Sequence, residues 1–194
     1  MGNIYLVGFM GSGKTVAGKE LARKLKWQFM DLDDLIELTE KRSIHDIFAQ
    51  QGEAHFRRLE KRALSQVSRE KKFVVACGGG IVMDQENIKT MKETGLLICL
   101  SATPDVILKR TLKETHRPLL NVPDPGKQVE LLLKLRAPYY ARADKTLNTS
   151  KLSVKQVVER LVKLVQSSKF VVRSKGKIKS KSKNKSKIKS KKKR

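Results

Sequence analysis

The chain has 194 residues, enough for one domain with a substantial core. It contains no apolar run approaching 18 residues, which excludes a membrane-spanning helix. Its net charge of +24 is unevenly spread: 14 of its Lys and Arg residues fall between Lys169 and Arg194 with no acid among them, leaving +10 on the body.

The first residues, MGNIYLVGF, have no basic region of the kind that opens a secretory signal, and Leu6 breaks the myristoylation pattern that Met1-Gly2 would begin. The two cysteines, Cys77 and Cys99, lie in the apolar runs FVVAC and LLICL with no His or Cys at ligand spacing. They read as small hydrophobes of a reduced, cytoplasmic protein rather than as a disulfide or metal pair.

In chain order, strands are expected at IYLVG (4–8), WQFMDL (27–32), FVVAC (73–77), LLICL (96–100) and KTLNT (145–149). Helical periodicity covers Thr15 to Lys26 and then roughly 84–94, 104–114, 126–143 and 153–167. This alternation predicts an α/β fold with a five-stranded parallel sheet between helical layers. Residues 33–70 carry only helical pattern, more than one crossover needs, so they predict a sub-domain beside the sheet. THRPLLNVPDPG (115–126) holds three of the five prolines and reads as a loop able to cover a site. From about Ser167, Lys alternates with Ser, Ile or Asn, leaving too little apolar surface to offset ordering entropy; this tail is expected to be disordered.

Gly8-Phe9-Met10-Gly11-Ser12-Gly13-Lys14-Thr15 fits G-x-x-x-x-G-K-[ST] between a strand and a helix. The glycines let successive N–H groups turn inward toward phosphate oxygens, and the following helix adds the positive end of its dipole. Lys14 is expected to reach the β- and γ-phosphates of a nucleotide and Thr15 to ligate Mg²⁺.

Three further features follow, two of them at strand carboxyl ends, where a parallel sheet gathers ligands, and one on a helix. Asp31-Leu32-Asp33-Asp34 ends the second strand. Asp31 and Asp33 point the same way if the strand continues, one for Mg²⁺ through water and one for an acceptor hydroxyl. The alternative is a helix cap, a role that suits Asp34 best. Arg57 and Glu60 are one helical turn apart and able to pair, as a surface pair would also do. Gly78-Gly79-Gly80 leaves backbone N–H groups open to an anion, or is a flexible turn.

Together these segments resemble the shikimate kinase family over about residues 3 to 165. The matching motifs are Gly8–Thr15, Asp31/Asp33, Phe56-Arg57…Glu60, Gly78–Gly80, Arg117-Pro118-Leu119-Leu120 and Arg136…Pro138-Tyr139. The resemblance implies a P-loop kinase domain over 1–168, with an acceptor sub-domain at about 33–62 and a lid at about 112–125. It implies transfer of the ATP γ-phosphate, with Mg²⁺, to the 3-hydroxyl of shikimate by a monomer, in the pathway to aromatic amino acids. Gly11, Ser12, Gly13, Lys14, Thr15 and Val16 would hold the nucleotide phosphates, with Arg117 swinging in from the lid and Arg110 stacking on adenine. Asp33 would act as base and hold the ring hydroxyls; Lys14 and Arg117 would be its catalytic partners. Arg57, Arg136 and the Gly79 backbone would clamp the acceptor carboxylate, with Glu60 fixing Arg57. Thr15 and, through water, Asp31 would hold the metal.

Departures from the family pattern are the lack of Gly near Lys41-Arg42, Thr15 in place of Ser, and Lys151 where an arginine often approaches adenine. His45, His55 and His116 have no partner at metal-ligand spacing. Two rival readings follow from the residues: a gluconate-type or nucleoside monophosphate kinase, and a nucleic-acid-binding protein that owes its partner to the 169–194 tail. The tail's lysines suit polyanion backbones, and its lack of stacking aromatics argues against base reading.

Overall fold

Five parallel strands run in the order β2-β3-β1-β4-β5. They are β1 (Asn3–Val7), β2 (Gln28–Asp31), β3 (Phe73–Ala76), β4 (Gly95–Ser101) and β5 (Lys145–Asn148), each within one residue of expectation at either end. The computed structural model describes residues 2–111 and 122–168. Most of the expected lid, Arg117 and the Lys-rich tail lie outside the described residues.

The period-two geometry of the strands sorts their side chains to two helical layers. Ile4, Leu6, Val74, Ile98 and Leu100 meet α1 (Lys14–Leu25) and α7 (Val154–Ser167) through Ala17, Leu21, Val157, Leu161 and Val165. Tyr5, Val7, Val75, Leu97 and Cys99 face the opposite layer, which includes α3 (Ile44–Ser68) and α4 (Gln85–Thr94). A smaller cluster of Phe9, Ile107 and Val129 joins the β1 loop to α5 (Pro104–Thr111) and α6 (Pro125–Tyr140). The α7 helix starts on a capping box, Ser153 bonding the Gln156 N–H while the Gln156 side chain returns to the Ser153 N–H.

Local chemistry redraws several expected boundaries. The strand reaching 32 stops at Asp31, whose side chain accepts from the Asp33 N–H at 3.1 Å and caps α2 (Leu32–Glu40). The cap is therefore Asp31, not Asp34, and Asp33 stands in the first helical turn rather than on the strand. The helical stretch from 33 to 70 is two elements, and α3 breaks at Gly52, where φ is 75° and ψ is 173°. The helix expected to 143 ends at Tyr140, and Asp144 instead accepts from the Leu97 N–H at 2.9 Å as the chain enters β5. Among the described residues no helix is long and apolar enough to cross a membrane.

Asn3 ties the sheet to the end of α3. Its buried amide donates to the carbonyls of Val67 and Glu70, both at 3.1 Å, and accepts from the Phe73 N–H at 3.1 Å. These bonds fix where β3 begins beside β1. Leaving such groups unpaired in the interior costs about 1–3 kcal/mol. Asn3→Ala is therefore expected to lower the unfolding free energy by about 2 kcal/mol, read as a lower urea midpoint at unchanged slope.

Candidate active site

The carboxyl ends of β1 and β3 lie side by side, so the two loops that follow them meet. A Cβ placed on Gly79 would sit 3.3 Å from the Gly8 carbonyl oxygen. Gly8 itself has a φ of 139°, and a Cβ there would come within 2.1 Å of the Leu100 carbonyl oxygen, so the loop turns against β4 only with glycine. Gly13, with φ 93°, caps α1, and nothing lies within 4 Å of where its side chain would be. The N-terminus of α1 is thereby open to a ligand.

Around this turn lies a cleft of about 1070 Å³. Gly11, Ser12, Gly13, Lys14, Thr15, Val16 and Arg110, the residues expected to hold a nucleotide, all line it. Lys14 Nζ lies 3.0 and 3.1 Å from the carbonyl oxygens of Gly8 and Phe9. The Ser12 hydroxyl is buried with no hydrogen-bond partner among the described residues. Arg110 donates to the Gly11 carbonyl at 3.0 Å and to the Thr149 carbonyl at 3.1 Å. Thr149 reaches the Ser12 carbonyl through its hydroxyl at 3.0 Å, so it and Arg110 brace the phosphate loop against the end of β5. No motif in the sequence points to Thr149.

Thr15 donates to Asp31 Oδ2 at 2.8 Å at the foot of the loop. Burial pushes the Asp31 carboxyl up, and this hydrogen bond partly offsets the rise. A hydroxyl beside a carboxylate offers the hard oxygen donors that Mg²⁺ requires, so the residues present fit that ion. Among the described residues no group of three or more His, Cys, Asp or Glu is placed to hold a metal ion.

The far side of the cleft is built on Gly78–Gly80. A Cβ on Gly78 would lie 2.4 Å from Glu60 Oε1 and 3.1 Å from Asp33 Oδ1. On Gly79 it would lie 3.5 Å from Arg136 Nη1, and on Gly80 within 2.4 Å of the Arg57 guanidinium. Thus Asp33, Glu60, Arg57 and Arg136, which are scattered over about 100 positions of sequence, border three consecutive glycines. The two arginines converge on the turn beside Asp33 instead of diverging to solvent.

Arg57 donates to Glu60 at 2.7 Å and to Glu53 at 2.8 Å. Glu60 is 0% exposed and the Arg57 side chain 26%, so the pair reaches inward from the surface rather than lying on it as a fully solvated one. Arg136 is buried at 6% exposure, with its guanidinium 5.7 Å from the centre of the Phe9 ring. The sequence motif on α6 ends at Tyr139, but Tyr139 is 36% exposed; it is Tyr140 that turns inward, donating to the Gly79 carbonyl at 2.7 Å. Burial of the Tyr140 phenol pushes it up to about 12, which keeps it a donor. Glu53 reaches Arg57 from one turn earlier on α3, whereas Phe9 and Tyr140 are brought to Arg136 and the glycine turn only by the fold.

A phosphate loop, a cation-competent oxygen pair beneath it and two arginines, one buried and one partly buried, across the cleft define a P-loop kinase acting on a small anionic acceptor. The comparisons narrow the class. A family model described as "Shikimate kinase" matches residues 10–166. The shikimate kinase of Thermoanaerobacter pseudethanolicus is 42% identical over 163 residues, 84% of this chain and 95% of that protein. That of Persephonella marina is 42% identical over 162 residues, covering 84% and 98%. Among solved structures, the Acinetobacter baumannii shikimate kinase in complex with shikimate superposes with a TM-score of 0.83 at 35% identity, covering 86% of this chain and 94% of that one. A gluconokinase from Sinorhizobium meliloti, at 13% identity and a TM-score of 0.54, shares the fold alone. The chain belongs to the shikimate kinase family.

Burial pushes the Glu60 carboxyl up to about 7, a rise that the Arg57 charge holds partly in check. The folded carboxyl therefore holds its proton more tightly than the unfolded one. The contribution of this one group is fully present below about pH 4.5 and is lost progressively as the pH rises to about 7, on the order of 3 kcal/mol. Glu60→Gln, which cannot ionise, is expected to remove this decline, seen by comparing urea midpoints at about pH 5 and about pH 8 for both proteins.

Proposed function

We propose that this protein is an ATP:shikimate phosphotransferase, and that the residues bordering Gly78–Gly80 select the acceptor. The observation that carries this reading is the convergence of Arg57, Arg136 and Asp33 on one glycine turn across the cleft from the phosphate loop. Two guanidinium groups side by side suit a planar carboxylate, and the Gly79 backbone adds a further contact for it. Glu60 and Glu53 hold Arg57 in place. Asp33 then meets the hydroxyl that reacts: it accepts the proton as the oxygen bonds to the γ-phosphorus and the bond to ADP breaks.

Gly11 to Val16 hold the phosphates, Lys14 meets the β- and γ-oxygens, and Arg110 faces the base. Thr15 and, through water, Asp31 would hold Mg²⁺, which when bound neutralises phosphate charge. Arg117, from a lid at about 112–125, completes the positive charge around the migrating group. Residues 33–62 form the acceptor sub-domain, and 169–194 is an appendage to the kinase domain. The two cysteines are free and buried, which supports a reduced, cytoplasmic setting.

A coupled ADP-release assay offering shikimate, gluconate and nucleoside monophosphates is expected to give turnover with shikimate. Turnover with gluconate or a nucleotide instead would leave the kinase class standing and overturn the acceptor. Asp33→Asn keeps the shape and loses the base, so kcat is expected to fall by about 10²–10⁴-fold with ATP affinity unchanged. Near-normal kcat would remove Asp33 from that role.

A further inference from the structure

The chain leaves β5 through Thr149, which is 2% exposed. Side chains alternate along a strand, and Leu147 packs with the α1 and α7 side chains, so Thr149, two positions on, is carried to the same layer. A buried hydroxyl needs hydrogen-bond partners, and this one finds them in three other segments. Its oxygen accepts from Arg110 Nη1 at 3.2 Å and lies 3.0 Å from the Ser12 carbonyl oxygen and 3.2 Å from that of Ser101. A hydroxyl has one proton to donate. The Ser101 carbonyl already accepts the Thr149 N–H at 2.8 Å, and the Ser12 carbonyl is the nearer of the two, so Ser12 receives the proton. Thr111, also buried, instead bonds the Ile107 and Leu108 carbonyls of its own helix.

The bond to Ser12 controls more than one oxygen. The Ser12–Gly13 peptide is trans, so its C=O and its N–H point in opposite directions. With the carbonyl drawn toward Thr149, the Gly13 N–H is turned away from the end of β5. Gly13 does not hold this orientation by itself. Its φ is 93°, nothing lies within 4 Å of where its Cβ would be, and glycine adopts either sign of φ at little steric cost. The peptide plane is therefore restrained from outside. Arg110 adds a second restraint, holding the Gly11 carbonyl at 3.0 Å and the Thr149 carbonyl at 3.1 Å.

We propose that Thr149 is a positioning residue for the nucleotide: its hydroxyl fixes the Ser12–Gly13 peptide with the Gly13 N–H aimed at the phosphates, and ties Arg110 to the same loop. This role rests on the reading, given above, that the loop holds a nucleotide. Thr149 acts through the loop and not on a reacting atom. Its hydrogen bonds run to Ser12, Ser101 and Arg110, whereas the acceptor groups Arg57 and Arg136 stand on α3 and α6 around the Gly78–Gly80 turn. Losing the hydroxyl therefore weakens the hold on the nucleotide and leaves the hold on the acceptor as it was.

The test compares the full chain with Thr149→Val, which keeps the shape and loses the hydroxyl, and with Thr149→Ser, which keeps the hydroxyl. ADP binding in the presence of Mg²⁺ is read by calorimetry. The KM for ATP, the KM for shikimate and kcat are read by ADP release. Thr149→Val leaves the Ser12 carbonyl and one Arg110 N–H without their partner. It is expected to weaken ADP binding and raise the KM for ATP by about 5- to 100-fold. The KM for shikimate should stay within about two-fold of the parent, and Thr149→Ser should match the parent in both. A second measurement needs no variant: in the isotope-labelled full chain, ADP should shift the Gly13 amide resonance strongly, as an N–H bonded to phosphate requires. Four results would each overturn the proposal: unchanged ADP affinity in Thr149→Val, Thr149→Ser as weak as Thr149→Val, KM values for ATP and shikimate that rise together, or a Gly13 amide that ADP leaves unmoved. Absence of ADP binding by the parent chain would overturn the nucleotide reading itself, and the proposal with it.

Discussion

The acceptor half of the cleft depends on two residues of one turn, Gly78 and Gly80, having no side chain. The Gly78–Gly80 turn sits against two carboxylates and two guanidinium groups, and a methyl group at either Gly78 or Gly80 would occupy space those groups already fill. Removing charges from water costs several kcal/mol per ion, and that cost is tolerated only when the charges are close-packed and hydrogen-bonded. Bare backbone permits this closeness. Arg57 bonds two glutamates at once, Arg136 lies against the Phe9 ring, and Tyr140 anchors the middle of the turn through the Gly79 carbonyl. The arrangement also biases the local charge. Burial pushes the Glu60 carboxyl up to about 7, so part of the negative charge beside Arg57 is withdrawn near neutral pH.

The nucleotide half obeys a different constraint. Its cradle is set by backbone conformation at Gly8 and Gly13 and then braced from outside, by Arg110 and Thr149 gripping loop carbonyls from the α5 and β5 side. The two halves share one origin: β1 is central, β3 and β4 flank it, and the loops leaving β1 and β3 are neighbours because their strands are. Parallel strand order thus turns two distant glycine motifs into opposite walls of a single cleft.

Much of this is legible in the amino-acid sequence. The five strands and the phosphate loop follow from apolar periodicity and from a glycine spacing with a stringent backbone requirement. Arg57, Glu60 and Arg136 are legible only through their motif context, since a lone Arg–Glu spacing fits a surface helix equally well. The remainder depends on geometry that one-dimensional spacing does not carry. Asp31 and not Asp34 caps α2, because the strand ends one residue earlier than its apolar run. Gly52 breaks α3 inside a continuous helical pattern, where a single glycine gives no directional signal. Which of Tyr139 and Tyr140 turns inward is not legible, because two adjacent tyrosines differ only in which face of α6 they occupy; the structure turns Tyr140 in.

The central claim is that the glycine turn assembles a carboxylate receptor. The most direct measurement is calorimetric binding of shikimate and of its methyl ester to the full chain, which differ in the acceptor's charge and leave the reacting hydroxyl intact. Charge-assisted hydrogen bonds contribute about 1.5–3 kcal/mol each, so loss of the carboxylate is expected to weaken binding by at least about 100-fold. Equal affinity for acid and ester would contradict the account, because Arg57 and Arg136 would then converge on a point that the acceptor does not use.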